Sequence, residues 1–532
     1  YGLIDLNGDG SISALDAALL FDSDDFDSDG DGVNNFLERA LGGDSLFNDR
    51  LEILPQTIDT GDGKQKVSFH QYQSQYNTEG IEYIVERSVD GMTWSASGIT
   101  QVDLNGPASP GKGVTLAGGM ERVLFETTQS TAQVGGRQFV RVRINSRESN
   151  SLANALPGEG EISATMASEG MAQLSSGTLG RPIYAGQVTN GTTNTVSFEP
   201  TFNSSEVAID PFTPGVFNSL VMTPALSASL SGQGVGSIAV SYAGSGFSTP
   251  PQIVIDPPTS GNDQATASAT LNGTGGIASI TLTNSGSGYS VPPKIRVLGG
   301  PHFVRLSEKG DSNEGRIFLI TDNNATRLTL DLSRLAPGES LQNLLQDDYS
   351  VEIMPANTLG SIFGTTANEI PLTGGVPNEA DLVYLWNKTT QAYSTYFFLS
   401  PAVGSYLEGW YNKNSIGAGL MKDLVVYPNE SLLIAKKSPG GSIFNTKINL
   451  GSHTQFTIPE NSNQLIQNPI TKTLGQLIPS NELGTNSSKF RTGIGDTDIN
   501  SDKISILNGA VWSDFYYKSG VNDGVTTIAT AT

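Results

Sequence analysis

The sequence predicts an all-β fold, with β-sandwich modules in series and one small helical module at the N terminus. Three observations predict it. After residue 50, apolar and polar residues alternate through most of the chain, with Asp-Gly, Gly-Gly and Pro-rich punctuation between the runs. Glycine is abundant, at 61 of 532 residues, while charged residues make up only 16%. That balance suits strands joined by tight turns better than helices. Helical spacing of apolar residues is confined to two short runs within the first fifty positions, "SALDAALLF" and "NNFLERALGG".

The composition excludes several function classes. A formal net charge of -23 argues against a nucleic-acid backbone, which needs clustered Lys and Arg, and suits solubility and divalent cations. The absence of cysteine removes disulfides, zinc ribbons, iron–sulfur clusters and thiol catalysis. No apolar run is long enough to cross a bilayer as a helix. The start at Tyr1 reads as a processed mature chain whose signal peptide has been removed, so the expected location is extracellular, at the cell surface.

Each helical run follows an acidic loop. In an EF-type calcium loop, oxygen ligands come from positions 1, 3, 5, 7, 9 and 12, with Gly at 6 for the sharp turn. "DLNGDGSISALD" supplies Asp5, Asn7, Asp9, the Ser11 carbonyl, Ser13 and Asp16, with Gly10 at the turn. "DSDGDGVNNFLE" supplies Asp27, Asp29, Asp31, the Val33 carbonyl, Asn35 and Glu38, with Gly32 at the turn. Hard oxygens in a flexible loop select Ca2+ over transition metals. In the second helix Phe36, Leu37, Ala40 and Leu41 share a face, and Gly42-Gly43 provides the stop. The first loop resembles a dockerin repeat, with Asp in last place. The second, whose entrance is crowded by Asp22, Asp24 and Asp25, resembles the acidic calcium repeats of thrombospondin type 3. The loop starts lie 22 residues apart, which departs from the dockerin pattern. The expected module is therefore EF-hand-like (dockerin-like), over residues 1–50.

The expected domains continue with a β-sandwich over 51–148, built on "KVSFHQYQ", "IEYIVERSVDGMTW", "RVLFETT" and "QFVRVRIN". Trp94 is expected as a core plug. A Ser/Asn/Gly/Pro-rich linker follows at 149–161, then a β domain over 162–357 and a C-terminal β domain over 358–532.

Two internal repeats punctuate these domains. "IAVSYAGSGFSTPPQIVI" from Ile238 returns as "ITLTNSGSGYSVPPKIRV" from Ile280, so that Phe247 overlies Tyr289. The pair forms an inserted module at about 225–300. Each unit reads strand, Gly turn, aromatic anchor, Pro-Pro edge and strand. More loosely, "DLVYLWNKTTQAYSTYFF" from Asp381 is echoed by "DKISILNGAVWSDFYY" from Asp502. Tyr393, Tyr396 and Phe397 then correspond to Trp512, Phe515 and Tyr516.

"LGRPIYAGQVTNGTTNTVSF", "GRIFLITDNNATRLTLDL", "DDYSVEIMPANTLGSIFG", "ADLVYLWNKTTQAYSTYFF" and "VYPNESLLIAKK" come in an order that resembles a conserved-hypothetical secreted protein family known mainly from verrucomicrobial bacteria. The resemblance covers most of residues 162–520. It implies secretion and a β fold, and carries over no active site.

Reactive constellations are sparse. His70, His302 and His453 fall in different expected modules without metal-binding spacing, and His70 is placed at the end of a strand. There is no nucleophile elbow and no phosphate loop. Asp347, Asp348, Glu352, Glu408 and Asp423 are candidates for a glycosidase carboxylate pair. The expectation is a non-catalytic, calcium-stabilised subunit of a surface filament, sheath or surface layer. It would self-associate into a homopolymer, with Val525 to Thr532 closing its own sheet or adding to a neighbour's edge. The rivals are a monomeric adhesin binding glycans through Trp386, Tyr393, Trp410, Tyr411 and Trp512, and a secreted glycoside hydrolase.

Overall fold

The computed structural model describes most of residues 33–449 and parts of 454–530. Residues 1–32, 44–52, 103–113, 116–119, 146–157, 464–477, 495–500 and 520–526 and several shorter stretches lie outside the described residues. The fold is all-β, with short helices, and divides into two compact units, Tyr1–Pro469 and Ile470–Thr532.

The first unit is built by nesting. Its outermost layer is a sandwich. One sheet runs in the order Gln56–Thr57, Lys66–Tyr72, Met120–Thr127, Ile99–Val102, and Val114–Thr115 also pairs with Met120–Thr127. The facing sheet runs Ser442–Asn449, Glu159–Met166, Arg137–Asn145, Glu82–Ser88. Val67, Phe69, Val123, Val142 and Ile144 fill the space between them. Gly160 lets two strands of this sheet close up, because a Cβ there would fall 2.0 Å from the Gln138 carbonyl oxygen.

The chain then passes to a second sheet, in the order Gly409–Asn412, Ala392–Leu399, Leu382–Asn387, Ser431–Lys436, Gly170–Ser175. Both of its faces are covered. Val383, Leu385, Phe398 and Trp410 pack on one side under the helix Leu359–Phe363, and Leu382, Phe397, Leu399 and Tyr411 pack on the other.

Between Gly170–Ser175 and that helix the chain makes a closed six-stranded barrel. Around it run Tyr184–Gly191, Thr195–Phe198, Arg327–Leu330, Ile317–Asn323, His302–Leu306 and Tyr349–Pro355. Closure removes both sheet edges, and Val188, Val304, Ile320, Leu328, Val351 and Ile353 are fully withdrawn into its core.

Inside the barrel's own sequence sits the tandem repeat. Ala225–Ser231 and Gly234–Tyr242 form one hairpin, and Thr266–Leu271 and Ile277–Asn284 form its counterpart, while Gln252–Ile255 and Ile295–Leu298 pair with each other. The two repeats exchange contacts. The Ile277 amide donates to the Ala243 carbonyl (2.7 Å) and the Val235 amide to the Ser285 carbonyl (2.8 Å). Gly246 and Gly288, both at φ 86°, turn the chain so that Phe247 and Tyr289 are buried.

Strand pairing runs across the boundaries expected at 148, 161 and 357. Residues 159–161 belong to a strand, and the sandwich sheet takes Ser442–Asn449 from nearly three hundred residues downstream. Composition reports where a chain can turn, and pairing between distant strands leaves no local trace in it. Trp94 also differs from its expected role. It is half-buried outside the core, stacked on the Arg141 guanidinium at 4.2 Å, and Arg141 and Arg143 both pair with Glu86.

The second unit contains the antiparallel hairpin Ile504–Asn508 and Val511–Ser519, with Thr527–Thr530 antiparallel and Gly493–Ile494 parallel to the second strand. The C-terminal strand therefore pairs within its own chain.

Candidate metal centre

Of the twelve calcium-ligand positions, Val33, Asn35 and Glu38 lie among the described residues. Asp5, Asn7, Asp9, Ser11, Ser13, Asp16, Asp27, Asp29 and Asp31 fall outside them. Among the described residues, no three His, Asp or Glu side chains converge as they would around a metal ion.

The helix at this site is Asn35–Leu41. Asn34 caps its start, accepting from the Leu37 amide at 2.9 Å. Gly42, at φ 83°, ends it, and the Gly43 amide donates to the Glu38 carbonyl at 2.7 Å. The glycine stop matches the sequence reading.

The helix docks into the first sandwich. Phe36, Leu37, Ala40 and Leu41 join Val67, Phe69, Val85 and Val123 in one core. The Tyr83 hydroxyl donates to the Ala40 carbonyl at 2.6 Å and accepts from the Tyr72 amide at 3.3 Å, so one side chain ties helix to sheet. His70 lies within Lys66–Tyr72 and not at its end. Burial and the Arg122 charge hold its pKa below the ordinary imidazole value, opposed by a hydrogen bond with the Leu41 backbone.

The last three loop positions are all withdrawn from solvent: Val33 is 2% exposed, Asn35 5% and Glu38 0%. Asn35 and Glu38 stand three apart and share a side of the helix. A carboxylate at zero exposure must be met by positive charge or by donors, since burying it otherwise costs several kcal/mol or more. Position 12 of an EF-type loop is where such a carboxylate grips calcium with both oxygens. The donor set is carbonyl, amide and carboxylate oxygen, which fits a hard divalent ion.

The other candidate residues are dispersed. Glu352 pairs with Arg305 on the barrel wall at 2.6 Å, both buried. Asp423 accepts from the Thr223 amide (3.0 Å) and hydroxyl (2.6 Å) and pairs with the buried Lys422 (3.0 Å), pinning the entrance of the inserted module to the second sheet's connecting loop. Glu408 accepts from Ser400 near the surface, while Asp347, Asp348 and His453 lie outside the described residues. His302 is buried beside Phe217, its Nδ1 3.0 Å from the Gly300 carbonyl, and burial lowers its pKa to about 4.

The proposed aromatic strip is broken. Trp410 and Tyr411 are core residues, at 0% and 3% exposure. Tyr393 is exposed and meets the half-buried Trp386 edge to face at 5.0 Å, while the Trp512 side chain lies outside the described residues. The reason is that the second sheet is covered on both faces, so alternate residues of Gly409–Asn412 are buried on opposite sides.

No protein-family model matches the chain, and no curated protein or solved structure matches it.

Proposed function

We propose that the chain is a non-catalytic extracellular structural protein, a calcium-stabilised subunit of a cell-surface filament, sheath or surface layer. The observation that carries this reading is the fully buried Glu38, twelfth in a complete EF-type ligand pattern, on a helix that forms part of the first sandwich core. Calcium at this loop would fix the helix and, through Tyr83, the sheet beneath it. In a cysteine-free chain, that supplies a cross-link of the kind disulfides give other exported proteins. Strands paired across long sequence separations, Ser442–Asn449 with Glu159–Met166 among them, add resistance to local unravelling.

Electron microscopy and light scattering of the purified protein test the assembly directly, first in millimolar calcium and then in excess chelator. Ordered polymers that disperse on chelation support the reading, and dispersed single chains under both conditions refute it.

A second reading, a monomeric adhesin or carbohydrate-binding surface protein, draws on the exposed Tyr393 beside Trp386. Its test is glycan-array binding abolished by Tyr393→Ala. Trp410→Ala is unsuitable for that purpose, because Trp410 is a core residue.

A further inference from the structure

The duplicated hairpin gives a template for an interface. In the first copy Val383 faces Tyr396, Leu385 faces Ser394 and Asn387 faces Ala392. In the second Ile504 faces Phe515, Ile506 faces Ser513 and Asn508 faces Val511. The two registers match pair for pair, with offsets of 121 on the first strand and 119 on the second, so the second turn is two residues shorter. Ser394 recurs as Ser513 and Asn387 as Asn508.

The copies differ at one edge. Leu382, Val383, Tyr384 and Leu385 pair antiparallel with Ala435, Ile434, Leu433 and Leu432. Among the described residues, no strand pairs with the corresponding edge of Ile504–Asn508. The side chains differ as well, Val383 and Leu385 lying under the helix Leu359–Phe363. Leu385 is 8% exposed whereas its counterpart Ile506 is 40% exposed, and Val383 is fully buried whereas Ile504 is half-buried.

We infer that Ile504–Asn508 pairs with the same strand of a second copy of this chain across a two-fold axis. The template shows that this edge of the motif takes an antiparallel neighbour, and a two-fold axis between identical strands generates an antiparallel neighbour. It also shows what the edge takes: aliphatic residues opposite aliphatic ones, Val383 against Ile434 and Leu385 against Leu432. Self-pairing with Ser505 on the axis puts Ile504 of each copy opposite Ile506 of the other, the same chemistry on the same face. A two-fold contact closes on itself, so it makes a dimer and leaves any polymer to a different surface.

This inference rests on the self-association part of the proposed function and needs no calcium, so its failure is separable from failure of the calcium reading. The intact chain is examined by light scattering over a concentration series, in calcium and in excess chelator. Three variants accompany it: Ile506→Lys, Ser505→Cys and, as an exposed control on the repeat module, Ser237→Cys. In excess chelator the wild type is expected to approach the mass of two chains as concentration rises, and in calcium to reach at least that mass. In chelator, Ile506→Lys is expected to stay at the mass of one, with the melting temperature of the dilute, single-chain wild type. In a chain without cysteine, Ser505→Cys on the axis is expected to form a covalent dimer under mild oxidation at least about tenfold faster than Ser237→Cys, through its high effective concentration. A wild type that stays single at all concentrations overturns the inference. So does an Ile506→Lys variant that dimerises normally, or equal cross-linking at the two cysteines.

Discussion

Val254 pairs with Arg296, the residue 42 positions further on that occupies its own place in the second repeat. Two equivalent residues can oppose each other in antiparallel strands only where a pseudo-two-fold axis passes between them. The axis explains why contacts in the module come in pairs: the Phe247 amide donates to the Gly275 carbonyl at 3.1 Å, and the Tyr289 amide to the Gln233 carbonyl at 2.9 Å. Each aromatic anchor is thus set against the hairpin turn of the other repeat, so neither repeat is complete alone.

Phe247→Ala is therefore expected to destabilise both hairpins, by about 3–5 kcal/mol for a buried phenylalanine. Tyr289→Phe removes a hydroxyl that accepts from the Ala265 amide at 3.0 Å and donates to the Asp256 carbonyl at 3.1 Å, at a cost of about 1–3 kcal/mol. Amide hydrogen exchange checks both: protection falls across residues 225–298 and is retained in the barrel strands. Loss confined to the mutated repeat would contradict the reciprocal arrangement.

Asp423 holds the neck of that module. Replacing it with Ala leaves Lys422, 7% exposed, without its ion-pair partner and frees the Thr223 amide, while the Thr223 hydroxyl keeps only the bond it accepts from Lys422. The expected cost is about 3 kcal/mol, the scale for breaking a buried pair. Limited proteolysis would show it as faster cleavage near residue 223 with the module itself intact.

His302 makes barrel stability depend on pH. Its folded pKa of about 4 lies below the unfolded value of 6.5, so the unfolded chain binds the proton first. The stabilisation is fully present above pH 6.5 and is lost as pH falls through 4, amounting to about 3 kcal/mol across that window. Denaturant titrations at pH 7 and pH 4.5 check this, since His302→Gln should remove that part of the pH dependence.

What the sequence makes legible is local. The glycine stop of Asn35–Leu41, its buried face, the 42-residue repeat and the echoed hairpin all follow from residues near one another in the chain. The barrel and the nesting do not, because alternation says which way a residue points and not which distant strand lies beside it. For the same reason Trp410 and Tyr393 read alike in the sequence, though one is core and the other surface. The candidate metal centre was legible as a ligand pattern. Its fusion with the sandwich was not, because Tyr83 reaches Ala40 only through tertiary packing.

The most direct test is thermal unfolding of the wild type and Glu38→Gln across a calcium titration. Binding at roughly 10⁻⁴ M would stabilise the folded wild type by about 2.7 kcal/mol in about 10 mM calcium. The account predicts a melting temperature that climbs with calcium in the wild type and climbs distinctly less in Glu38→Gln, which keeps the first loop. Identical melting of both proteins at every calcium concentration would contradict it.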